Sequence, residues 1–148
     1  MSTRNLPPKQ SGFSLIELLI VVAVIGIIAS IAIPQFLAGR QAARAASAVN
    51  SLRILYTSEI SYRETRGSYG TLADLSVSSY LRDPDLAAGV KSQYVFVATP
   101  GADPARSFAI TAEPVSTAGS YHHYFCDQTG VIRFAVGASA NALSPPIQ

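Results

Sequence analysis

Cysteine and charge are both scarce. A single cysteine, Cys126, in 148 residues rules out an intramolecular disulfide and any CxxC metal or redox motif. Charged residues make up only 14%, and eleven Lys and Arg against nine Asp and Glu leave a net charge of +2. That balance is too even for a nucleic-acid footprint, so no direct nucleic-acid partner is expected. The chain has no internal repeat and no Gly-x-Ser-x-Gly nucleophile elbow. Its length accommodates one globular domain.

The abundant feature is apolar content, 49% of the residues, and its excess sits in one run, Leu18 to Ile33. No charge occurs from Leu18 to Gly39. As a helix, Phe13 to Ile33 would span roughly 30 Å, the hydrocarbon thickness of a bilayer. A short polar leader precedes it, carrying Arg4, Lys9 and the helix-opposing pair Pro7-Pro8. Arg40 and Arg44 beyond the run balance Arg4 and Lys9 before it, so positive charge alone does not orient the span.

Past Pro34 the pattern becomes amphipathic but stays helical through 35–66. Val49, Leu52, Tyr56 and Ile60 recur at spacings of three and four and form a stripe, with Leu55 beside it. Arg66-Gly67 reads as the last turn and a left-handed cap. Between Ser68 and Val90 we expect a loop with one small helix capped by Thr71, and a turn at Asp83-Pro84-Asp85. Short β-like runs follow at Gln93–Thr99, Ser107–Ala112, Tyr121–Cys126 and Val131–Val136, the last two joined by the hairpin signal Asp127-Gln128-Thr129-Gly130. The tail from Gly137 to Gln148, with Pro145-Pro146, is expected to be poorly ordered. The fold class is α+β: a long N-terminal helix packed on an antiparallel sheet of about four strands. The N-terminal half of that helix lacks a partner in its own chain and must bury itself in lipid or against other copies.

The stretch Gly12-Phe13-Ser14-Leu15-Ile16-Glu17-Leu18-Leu19-Ile20-Val21-Val22 resembles the prepilin cleavage and methylation signature of type IV pilins and type II secretion pseudopilins. The likeness is close through about Arg40, with weaker echoes in Tyr69–Leu75 and Asp127–Arg133. It implies a leader at 1–12, a transmembrane and filament-core helix at 13–34, an amphipathic half at 35–66 and a globular head at 67–148. It further implies that a membrane-embedded prepilin peptidase and N-methyltransferase cuts between Gly12 and Phe13 and methylates the new amine of Phe13. Gly12 suits a scissile bond because it has no Cβ to block the protease.

A carboxylate in so apolar a stretch demands a partner, and for Glu17 the resemblance supplies the Phe13 amine of an adjacent subunit. Such a pair sets register more than stability, because desolvation offsets its attraction. Gly26 and Pro34 interrupt the helix, so local unwinding between them is expected, and the resemblance implies melting of this segment in the filament. Other implied partners are further copies in a helical filament, minor pilins, an inner-membrane platform protein and a cytoplasmic assembly ATPase. The precursor would sit in the bacterial inner membrane, and the product would be an extracellular pilus or a periplasm-spanning pseudopilus.

Other chemistries are less well supported by the residues. His122, Tyr124 and Cys126 alternate onto one strand face while His123 and Phe125 take the other, which scatters any zinc ligands. Calcium would have only Asp103 and Asp127 as candidates, with no spaced acidic loop. No cofactor is therefore expected. The aromatics lie at strand or stripe spacings that ordinary packing explains. Readings from other classes are a periplasmic binding domain released by a signal peptidase near Ala38-Gly39, and a membrane-anchored enzyme using the His122–Asp127 cluster.

Overall fold

The computed structural model describes residues 12–116 and 121–147. Most of the expected leader therefore lies outside the described residues, as does the stretch just before the fourth strand. The chain divides into two units, Met1–Gly39 and Arg40–Gln148, and α1 (Leu15–Arg66) begins in the first and ends in the second.

In the first unit every Leu, Ile, Val and Phe from Phe13 to Leu37 is exposed. An unbroken 3.6-residue helix of apolar side chains satisfies its own backbone but leaves its side chains no shelter.

The second unit has a conventional core. Helix α1 buries Ala48, Ser51, Leu52, Leu55, Ser58 and Glu59. The centre of its buried stripe is thus 48, 52, 55 and 59, while the expected Val49, Tyr56 and Ile60 flank it half-buried. The helix stops where Gly67, at φ +80°, donates its N–H to the Arg63 carbonyl at 2.7 Å. That left-handed cap is the one the Arg66-Gly67 pair announces.

Helix α2 (Leu72–Val77) starts with a capping box: Thr71 Oγ1 accepts from the Asp74 N–H, and Asp74 Oδ2 accepts from the Thr71 N–H at 2.8 Å. The expected turn at Asp83-Pro84-Asp85 is instead the start of a short helix, α3 (Pro84–Ala87). Asp83 Oδ1 accepts from the N–H groups of Asp85 and Leu86, each at 3.1 Å, and Pro84 occupies the first helical turn, where no N–H is missed. Turn and N-cap use the same residue chemistry, which is why the two could not be told apart.

Five strands follow, β1 (Val90–Lys91), β2 (Tyr94–Pro100), β3 (Phe108–Pro114), β4 (His122–Asp127) and β5 (Ile132–Val136), forming one antiparallel meander in that order. The last four match the expected runs, and β1 adds a two-residue edge. Alternation sets which face is buried: Tyr94, Phe96 and Ala98 of β2 with Phe108, Ile110 and Ala112 of β3 pack inward. They meet Leu52, Leu55, Leu75, Leu86 and Cys126 in a single cluster.

The tail is ordered, contrary to expectation. The Phe134 N–H donates to the Pro145 carbonyl and the Ile147 N–H to the Ile132 carbonyl, each at 3.0 Å, while Arg133 Nη1 donates to the Ser144 carbonyl. Residues 145–147 thus occupy the outer edge of β5, where the backbone groups of an edge strand need partners.

Candidate functional site

The motif residues stand at the start of α1. The Ser14 carbonyl accepts the N–H groups of Glu17 at 3.1 Å and Leu18 at 3.3 Å, which closes the first turn. Glu17 lies in that turn and is exposed, where the positive end of the helix favours a carboxylate by about 0.3–1 kcal/mol. Phe13 is 85% exposed just before it. Among the described residues no heavy atom beyond its chain neighbours lies within 4 Å of where a Cβ on Gly12 would stand.

Both Gly26 and Pro34 lie within continuous helix. Pro34 has no N–H for the Ser30 carbonyl, and the Ser30 hydroxyl meanwhile donates to the Ile27 carbonyl at 2.7 Å. In the single chain the helix therefore runs unbroken through both positions.

The His122–Asp127 run does not converge on a site. The His122 ring packs edge-on against Phe134, with centroids 5.5 Å apart, whereas His123 Nδ1 meets the Glu113 carboxylate. Cys126 is buried, and burial pushes its thiol up to about 11, which keeps it protonated and poorly suited to attack or ligation. Asp103 lies in the loop between β2 and β3 and Asp127 ends β4, and each serves its own turn. Asp103 accepts from the Ala105 N–H at 3.1 Å and pairs with Arg106; Asp127 accepts from the Thr129 N–H at 2.9 Å. No group of three or more His, Cys, Asp or Glu gathers among the described residues.

Sequence reasoning missed Glu59. It is fully buried, Oε2 accepts the Gly70 N–H at 3.0 Å, and Oε1 has no hydrogen-bond partner. Burial, with Asp74 adding to it, raises its carboxyl from 4.5 to about 7. The signal was available in the spacing 48, 52, 55, 59, which places a carboxylate on the helix's most buried line.

Residues 7–33 match the prokaryotic N-terminal methylation motif. The chain is 39% identical over 74 residues to the type IV major pilin protein PilA of Myxococcus xanthus, covering 50% of this chain and 34% of that protein. It is 35% identical over 98 residues to a fimbrial protein of Dichelobacter nodosus, covering 64% and 61% respectively. It is 54% identical over 54 residues to a fimbrial protein of Pseudomonas aeruginosa, covering 34% and 35%. The chain thus spans from about a third to three fifths of the length of these relatives. Together with a long apolar N-terminal helix and an α+β head, the motif and these relatives support a type IV pilin family for this chain.

Proposed function

We propose that this chain is a structural subunit of a type IV pilus-like filament, without catalysis or cofactor of its own. The observation that carries the reading is the exposure of every Leu, Ile, Val and Phe from Phe13 to Leu37, a stretch holding a single carboxylate, Glu17. Burying one such side chain is worth about 1.5–3 kcal/mol, so this surface cannot stay in water. Lipid shelters it first, in the inner-membrane precursor; the helices of neighbouring copies shelter it in the filament.

A prepilin peptidase cuts after Gly12 and methylates Phe13. The leader carries Arg4 and Lys9 and no acid, so nine basic residues then face nine acidic ones and the side chains sum to zero. Glu17 pairs with the Phe13 amine of the adjacent subunit as helices slide past one another, and the register of that pair fixes the stagger. Extraction from the bilayer is driven from outside the subunit, by an assembly ATPase acting through a platform protein, with minor pilins in the same fibre. Gly26 and Pro34 mark where the helix gives way in that fibre.

The relatives' names, type IV major pilin and fimbrial protein, support a pilus subunit, and a secretion pseudopilus is the second reading. The test is to shear filaments from the native cell and sequence their bulk protein. An N-methylated Phe13 terminus supports the reading; a terminus near Gly39 sinks it.

A further inference from the structure

Within the second unit, the buried line of α1 at 48, 52, 55 and 59 leaves the opposite side of the helix to solvent. At 3.6 residues per turn that side carries Ala46, Arg53, Thr57 and Glu64, all exposed, with Ile54 beside them. Arg53 and Glu64 are eleven residues apart, about three turns and roughly 16 Å along the axis, and so share one line. Neither has an opposite charge three or four residues away on its own helix, where a pair could form locally. Among the described residues no ion pair engages either side chain.

A helix line with a positive charge first and a negative charge later is complementary to a shifted copy of itself. Two parallel copies at the same height would set Arg53 against Arg53 and Glu64 against Glu64, which like-charge repulsion disfavours. A copy displaced toward its neighbour's C-terminal end instead brings its Arg53 to that neighbour's Glu64. The same sense of displacement carries a Phe13 amine to a neighbouring Glu17, because in both cases the positive group precedes the negative along the chain. An acid placed before the base would require the opposite shift. Resting on the reading of a pilus-like filament, we propose that Arg53 of one copy pairs with Glu64 of the next, head to tail along the fibre. An exposed pair adds little affinity by itself. Its effect is to reject the unshifted register, and a contact between different patches that does not close on itself propagates as a helix.

The test expresses the full chain in cells lacking their own copy and compares the sheared filament fraction with the processed chain on immunoblots. Arg53→Glu and Glu64→Arg should each lower the filament fraction roughly tenfold, since each sets like charges together at every contact. The exchanged variant, Arg53→Glu/Glu64→Arg, should recover most of it. A second measurement treats intact filaments of Arg53→Cys/Glu64→Cys, which introduces no repulsion, with a short bismaleimide. A ladder of cross-linked copies is expected, while the buried Cys126 stays unmodified. Native filament yield in either single charge variant overturns the pair. So does an exchanged variant no better than the single ones at normal amounts of processed chain, and so do cysteine-variant filaments that give no ladder. If the native chain itself builds no filaments, the pilus reading falls, and the pair with it.

Discussion

The N–H of Gly70 donates to Oε2 of Glu59 at 3.0 Å, tying the segment that leads into α2 to the buried side of α1 by a fully buried carboxyl. Its other oxygen, Oε1, is buried without a partner, the arrangement least favourable to a negative charge.

This contact makes the head's stability depend on pH. The Glu59 carboxyl titrates near 4.5 when unfolded and about 7 when folded, so between those values the folded state holds the extra proton. Its contribution is fully present below about 4.5 and is lost as pH rises through about 7, a change of at most about 3 kcal/mol. Asp74 and Asp83 act in the opposite sense. Their hydrogen bonds, to Thr71 and to Lys91, hold both carboxyls below the usual range, and they withdraw a small stabilisation as pH falls through their folded values. Denaturation midpoints should therefore peak near pH 4.5 and decline toward pH 8. Glu59→Gln should remove most of that decline, and a decline of native steepness in this variant would refute the assignment.

Glu17→Val should separate processing from assembly. The substitution removes the carboxylate without altering Gly12 or Phe13, so cleavage should proceed while surface filaments fall to background. Immunoblots of the processed chain beside the sheared fraction give both readouts, and normal filament yield would eliminate the amine-pairing step.

Two glycines with the same backbone requirement should respond differently to alanine. Gly67 and Gly130 have φ near +80° and +74°, and an L side chain there costs roughly 1–2 kcal/mol. A Cβ on Gly67 meets nothing within 4 Å, whereas one on Gly130 would lie 2.9 Å from Cζ of Tyr56. Gly130→Ala should therefore lose about 1 kcal/mol more than Gly67→Ala in urea melts, through displacement of the Tyr56 ring. Equal losses would mean that the ring moves freely.

The loop between β1 and β2 holds a stored strain. Ser92 and Gln93 sit at φ +51° and +66°, the left-handed pair of a tight hairpin that favours Asn-Gly. Gln93→Gly should stabilise the head by about 0.5 kcal/mol, the left-handed penalty relieved less the extra freedom of glycine when unfolded. The Val115 N–H to Gln93 carbonyl bond, 2.9 Å, involves backbone only and should persist. A lower urea midpoint would show that the Gln93 side chain contributes more than its backbone costs.

What could be read in the residues was whatever depends on near neighbours. Gly12 to Val22 carries its chemistry in consecutive positions, and the alternation of Tyr94, Phe96 and Ala98 marks β2 without reference to anything else. What escaped depends on distant segments. Glu59 is polar on an apolar line, and only the approach of Gly70 gives it a reason to be there. Residues 145–147 have a loop-like composition, yet they are ordered because β5 offers unpaired backbone groups, a fact that sits on another element. Two residues of β1 are too few to show a period at all.

The pairing of 145–147 with β5 bears on how such a molecule may safely multiply. A protein stored at high density for polymerisation runs the risk that sheets join sheets in the wrong fibre. Here residues 145–147 cover part of the outer edge of β5, and on the opposite border β1 covers β2 at Tyr94 and Val95. In the filament proposed above, those covered positions leave the apolar helix as the element through which copies associate.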